Sequence, residues 1–320
     1  MVPLLACGPG RPLAGERSEV GRLLTAGEFF WLDLHRPDPE DAELLGEIFG
    51  FHPLALEDAR HFGQRAKVED YDDFAFIVAY GAAPDDDRLV EVHCFYSERF
   101  LVTVHRDEAP ALTELRTEHG RRDRGPDEPI LVLHRVLDRL TDSFFSTLEE
   151  LDEAIDAIEA DLERGPSDRM QRSIFALRRR LIAIRKTVGP QRDMLGRLAG
   201  GVAELPGTTR EAERYFRDVY DHLIRIGDLL ESYRDLLSGA QDVYLSTVSN
   251  RLNAVMKQLT VIATVFLPLT LVVGYFGQNF AWMVRRVDGL DGFLAFGVGA
   301  PVAVVLVLLA VFRRLGWIGG

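Results

Sequence analysis

Leu259-Thr260-Val261-Ile262-Ala263-Thr264-Val265-Phe266-Leu267-Pro268-Leu269-Thr270-Leu271-Val272-Val273-Gly274-Tyr275-Phe276 is followed directly by Gly277-Gln278-Asn279-Phe280. The first stretch carries no charge and is long enough to cross the hydrocarbon core of a bilayer as a helix. A second uncharged apolar run occupies residues 292–312. Gly277-Gln278-Asn279 therefore stands where a chain leaves a membrane, either as a turn between two helices or as the mouth of a pore. A soluble reading would need two very apolar helices at the C-terminal end joined by a short linker.

The flanking charges orient the two spans. Arg251 and Lys257 precede the first, and Arg313 and Arg314 follow the second. The connecting loop holds Arg285 and Arg286, balanced by Asp288 and Asp291. This basic bias predicts that both termini face the cytoplasm. A multi-pass protein of the cell (inner) membrane is expected.

At 320 residues the chain has room for a sizeable soluble domain beside the membrane part. Its formal net charge of −13 argues against nucleic acid as a partner. Acidity suits cation handling but is equally common in ordinary soluble proteins. Cys7 and Cys94 are too few for a cysteine metal cluster or a disulfide framework. The apolar run before Cys7 is short and follows no basic residue, so no signal peptide is expected. No G-x-x-x-x-G-K-[ST] occurs, so no nucleotide is expected. The eight histidines are dispersed without an H-E-x-x-H pair, and no catalytic set is found. The chain is not expected to be an enzyme.

Organisation follows from periodicity. Residues 1–27 are expected to be an N-terminal tail, and 28–129 a cytoplasmic α/β domain. Strand-like runs at 29–34, 74–80, 90–96 and 100–105 alternate there with helical segments at 38–49 and 53–60. Residues 130–209 predict a helical hairpin, with Leu133, Val136, Leu137, Leu140, Phe144, Leu148 and Leu151 at helical spacing. Gly165-Pro166-Ser167 breaks it, and Ser167 can cap the next helix. From Arg210 no proline occurs until Pro268. One helix from 210 to 276 would be roughly 100 Å long, about three bilayer thicknesses. It divides into a stalk, 210–258, and a first span, 259–276. An external loop at 277–291, a second span at 292–312 and a cytoplasmic tail at 313–320 complete the chain. The fold class is thus an α+β domain, a mixed sheet flanked by helices, followed by a very long stalk helix and two transmembrane helices.

Several motifs, in order, resemble the CorA family of divalent-cation transport proteins. They are Phe51-His52-Pro53-Leu54-Ala55-Leu56-Glu57-Asp58, Lys67-Val68-Glu69, Tyr215 through His222, Asp242-Val243-Tyr244-Leu245-Ser246, Phe266-Leu267-Pro268-Leu269-Thr270 and Gly274 through Phe280. The likeness covers nearly the whole chain after about residue 28. It implies a homopentameric funnel in a lipid bilayer, with the first span lining the pore and the second forming an outer ring. It implies passive Mg2+ influx, with Co2+ or Ni2+ also accepted. It further implies that cytoplasmic Mg2+ binds between neighbouring domains and holds the pore closed. The positions matching that sensor are Asp58, with Glu57 beside it, and Asp218. Asp138 matches a further acidic position.

At about 100° per residue, Met256, Leu259, Ala263, Leu267, Thr270 and Gly274 share an arc of roughly 80°, with Asn253 beside it. By itself this stripe fits an ordinary packing seam as well as a pore face; the resemblance assigns it to the pore. It holds no carboxylate. Mg2+ sheds water reluctantly, so the expected passenger is a largely hydrated ion. Asn279 would receive it in a ring, with Gly277 and Gln278 beside it and Thr270 and Asn253 further along. Rings of Met256, Leu259 and Leu267 could close the pore by excluding water.

Residues 149–163 hold many Glu and Asp, which fit either a solvated helix face or a cation-concentrating surface. The sequence also departs from the family. Gln278 stands where the mouth motif usually has Met, and Ala281 through Arg286 lacks the usual acid and proline. Zn2+ transport of the ZntB-like kind therefore stays open, as does a membrane-anchored scaffold without transport.

Overall fold

The computed structural model describes residues 4–7, 13–83, 88–119, 128–278, 280–287 and 289–317. They fall into two compact units, Met1–Gln241 and Asp242–Gly320.

The first unit is built on a six-stranded mixed sheet in the order β1-β2-β6-β5-β4-β3. Its strands are β1 (Leu4–Cys7), β2 (Phe30–His35), β3 (Lys67–Asp70), β4 (Ala75–Ala82), β5 (Leu89–Tyr96) and β6 (Phe100–His105). β1, β2 and β6 are parallel, and the remaining pairings are antiparallel. Around it lie α1 (Leu13–Ala26), α2 (Pro39–Phe49), α3 (Pro53–Arg60), α4 (Pro110–His119), α5 (Pro129–Arg164) and α6 (Asp168–Ala199). The mixed α/β unit read from the alternating runs is therefore present. β4, β5 and β6 are buried nearly throughout, which explains their near-continuous apolar sequences.

The stretch 1–27, expected as a tail, is corrected. β1 pairs in register with β2, Leu4 opposite Trp31 and Cys7 opposite Leu34. α1 buries Leu13, Val20 and Leu23 completely. The Leu13 N–H donates to Asp41 Oδ1 at 3.0 Å, and Asp41 also closes the capping box of α2 with Asp38. A four-residue strand offers too little alternation to be seen in sequence.

Local chemistry sets the helix positions. Pro39, Pro53 and Pro129 open their helices, where the missing N–H costs nothing. Ser167 caps α6 by accepting the Met170 N–H at 3.2 Å. α5 lies so close to β4 that a Cβ on Gly81 would meet Ser143 Oγ at 2.8 Å and Leu140 Cδ2 at 3.0 Å. α6 is tied to the same strand by Gln191, whose buried amide accepts the Tyr80 N–H at 2.7 Å and donates to the Tyr80 carbonyl at 3.0 Å. α4 is held by a buried carboxylate. Asp33 accepts from Thr103 Oγ1 at 2.5 Å and pairs with Arg116 at 2.6 Å. Burial pushes the Asp33 pKa up, but His105, Thr103 and Arg116 together hold it below the ordinary carboxylate range.

α7 (Arg210–Phe276) is a single 67-residue helix that belongs to both units. In the first unit it buries Phe216, Val219, Leu223, Ile226 and Leu230, one face at spacings of three and four. In the second unit it is followed by α8 (Ala281–Arg286) and α9 (Gly289–Gly292). A π-helical segment, Phe293–Gly299, then leads into α10 (Ala300–Arg314). Both α7 and the helix at Gly289–Arg314 are long and apolar enough to cross a membrane. They touch at both ends. The Phe276 and Phe296 rings lie 5.2 Å apart, and Lys257 Nζ donates to the Gly316 carbonyl at 3.2 Å.

Candidate cation sites and membrane face

The α5–α7 contact brings acidic residues together. Asp138 and Asp142 are four residues apart on α5, as are Asp218 and His222 on α7, so each pair shares a helix face. His222 Nδ1 lies 3.1 Å from Asp142 Oδ1. Ligand atoms of Asp138, Asp142 and His222 all lie within 4.8 Å of one another. Among the described residues this is the one group of three or more such side chains that could hold a metal ion. Oxygen and imidazole donors of this kind suit a divalent first-row ion or, through the carboxylates, Mg2+.

The electrostatics of the group are those of an incompletely neutralised carboxylate. Burial first, and then the charge of Asp142, raises the Asp138 pKa to about 6, against the pull of His222. Asp218 adds to that rise from the α7 side while itself lying exposed. A cation placed here would relieve the repulsion. One turn earlier, burial lowers the His134 pKa, and its ring packs against Tyr215 and Phe216.

Glu57 and Asp58 lie outside this group, on α3. Asp58 Oδ2 is 2.5 Å from Lys67 Nζ, which also reaches Glu69 Oε1 at 2.8 Å. Burial pulls the Lys67 pKa down, but the bonds to Asp58 and Glu69 outweigh it and hold it above the ordinary value. Below α3, Glu91 accepts the backbone N–H groups of Gly63 and Gln64, and Gln64 Nε2 donates to the Asp58 carbonyl at 2.5 Å. The loop after α3 is thereby fixed to β5. Glu57 is exposed and its carbonyl accepts from His61 Nδ1 at 2.8 Å.

In the second unit the uncharged stripe lies open. Met256, Leu259 and Leu267 are 54%, 59% and 72% exposed, so most of each side chain is left uncovered by this chain. Asn253 and Thr270 are exposed too, and Thr270 Oγ1 donates to the Phe266 carbonyl at 2.8 Å. An open cleft of about 790 Å3 runs along Ala263, Leu267, Thr270 and Gly274 to Gln278. Gly277 ends α7, donating its N–H to the Val273 carbonyl at 2.8 Å. A Cβ there would meet that carbonyl at 3.0 Å, so the close turn favours glycine. Gln278 N–H donates to the Tyr275 carbonyl at 3.3 Å. Asn279 lies outside the described residues.

Sequence reasoning missed Asp142 and His222. The i,i+4 spacing from Asp138 and Asp218 was the available signal, but the pairing of α5 with α7 was not.

The cobalt/magnesium transport protein CorA of Thermotoga maritima is 37% identical over 301 residues, covering 90% of this chain and 83% of that protein. The zinc transport protein ZntB of Yersinia enterocolitica is 26% identical over 291 residues, covering 89% of this chain and 86% of that protein. The solved CorA magnesium transporter of Methanocaldococcus jannaschii superposes with a TM-score of 0.81 at 25% identity, covering 90% of this chain and 91% of that one. The match to the family described as CorA-like Mg2+ transporter protein spans residues 26–314, and the chain belongs to that family of divalent-cation transporters.

Proposed function

We propose that this chain forms a homopentameric Mg2+ uptake channel of the inner membrane, with both termini cytoplasmic. Co2+ and Ni2+ are further candidate substrates. The observation that carries this reading is the exposed face of α7 with Met256, Leu259, Leu267 and Thr270 and no carboxylate. Five copies would surround a water-filled path whose oxygens are all uncharged. Such oxygens do not replace a hydration shell cheaply, so the ion passes with its water. Asn279 forms the outer ring, flanked by Gly277 and Gln278; Asn253 and Thr270 offer polar stations below it. Met256, Leu259 and Leu267 make the hydrophobic gate.

The driving force is the membrane potential. Two charges moving inward gain about 4.6 kcal/mol per 100 mV. Closure comes from cytoplasmic Mg2+ at Asp58, Glu57, Asp138 and Asp218 between neighbouring protomers. Without the ion these carboxylates repel; with it they are bridged.

A second reading is Zn2+ transport. It is favoured by the imidazole of His222 in the ligand group and by Gln278 at the mouth. Ion-selective flux into sealed vesicles, comparing Mg2+, Co2+, Ni2+ and Zn2+, separates the two. Mg2+ entry that dissipates with the potential is the expected result. Zn2+ flux without Mg2+ flux, especially with proton dependence, would establish the zinc reading instead; no flux of any ion would leave a scaffold.

A further inference from the structure

The side chain that meets Asp58 is itself a cation. Lys67 Nζ sits 2.5 Å from Asp58 Oδ2 and 2.8 Å from Glu69 Oε1. Its ammonium also lies 5.5 Å above the centre of the Phe76 ring. Lys67 is on β3, an edge strand of the sheet, while Asp58 is on α3. Both are partly open to water, at 27% and 34% exposure, so an ion can reach the carboxylate without unfolding the contact.

We propose that Lys67 is a tethered competitor for the regulatory divalent cation, occupying Asp58 when that cation is scarce and setting the concentration at which it binds. This rests on the reading of Asp58 as part of the Mg2+ sensor.

The geometry supplies the first position of such an exchange and, in Glu69, an anchor for the second. An ammonium on Asp58 neutralises the carboxylate, so the repulsion that opens the ring of protomers is blunted at this point. A divalent ion arriving at Asp58 repels the ammonium beside it and must displace it or share the carboxylate. Displacement does not strand the lysine. Glu69 still accepts from it, Phe76 still faces it, and Glu69 is held in place by the Tyr71 hydroxyl at 3.2 Å. The exchange trades a monovalent donor for a divalent ion, with Glu69 keeping the lysine nearby. A lysine suits this use better than arginine, whose planar fork would hold the carboxylate with two bonds.

The test is limited proteolysis of the purified full-length protein across a Mg2+ titration, with the half-protective concentration as readout. Lys67→Met is expected to lower that concentration about threefold while leaving full protection at saturating Mg2+. Glu69→Gln, which removes the second seat, is expected to raise it in the native background and to have little effect in Lys67→Met. A purely structural lysine would instead weaken protection or lower the Tm when removed. Asp58→Asn separates the layers of the argument. If it abolishes the Mg2+ response while Lys67→Met leaves the half-point unchanged or raises it, the competitor role is overturned and the sensor stands. If Asp58→Asn responds like the native protein, the sensor reading itself falls, and the competitor with it. Should Lys67→Met fail to fold, Lys67→Gln carries the same prediction.

Discussion

One helix, α7, carries two opposite ways of meeting a cation. Near its start, Asp218 and His222 face Asp138 and Asp142 of α5, and burial, with the charge of Asp142 added, raises the Asp138 pKa to about 6. Near its end, Met256, Leu259, Leu267 and Thr270 lie exposed with no charge among them. The first arrangement can bind an ion directly; the second can only solvate one that keeps its water. Residence and passage make contrary demands. A site that ligates directly holds the ion, whereas a path must release it at every step.

The sharpest way to break this contrast is at the mouth. Asn279→Ala is expected to abolish Mg2+ flux into vesicles, since Asn279 supplies the outer ring of the proposed pore. Flux at the native rate would remove Asn279 from the path. Next in size, Thr270→Asp would place a ring of carboxylates where the helix face has none. Mg2+ flux should fall about tenfold because the ion now lingers there, as seen by fluorescent-indicator uptake; a faster flux would refute passage by a hydrated ion.

Away from the pore, Asp58→Ala on α3 with Asp218→Ala near the start of α7 should raise the half-inhibitory cytoplasmic Mg2+ about fivefold, measured as flux against internal Mg2+. Unchanged inhibition would put the sensor elsewhere. The smallest expected effect is a pH dependence. Folding raises the Asp138 pKa from 3.8 to about 6. The stability it contributes through its proton is therefore complete below about pH 4 and lost as pH rises through about 6. Cation binding needs the deprotonated form. The Mg2+ needed for closure should accordingly rise about twofold between pH 7.5 and 6, and Asp138→Asn should flatten that profile.

Much of the architecture was visible in the sequence because it is written in long repeats. The apolar positions of α5 from Leu133 to Leu151 and the two uncharged runs needed no tertiary information. β3 was not visible, since Lys-Val-Glu-Asp shows no strand alternation and is fixed only by pairing with Ala75–Val78. α4 likewise depends on Arg116 reaching the buried Asp33, 83 residues away in sequence. The cation group was half legible. Asp138 and Asp218 came from resemblance, whereas Asp142 meets His222 across 80 residues. A single sequence does not disclose contacts of that range. The π-helical turn at Phe293–Gly299 was hidden for a different reason: its glycines, Gly297 and Gly299, also fit an ordinary span.

The two hydrogen bonds from Gln191 to Tyr80 carry a last consequence. A side-chain amide has the same donor and acceptor as a peptide group, so α6 offers β4 the equivalent of one extra residue of neighbouring strand, beyond the point where β3 stops. The Tyr80 amide proton thus exchanges with solvent deuterium only when the helix lifts from the sheet, which makes it a built-in reporter of that motion.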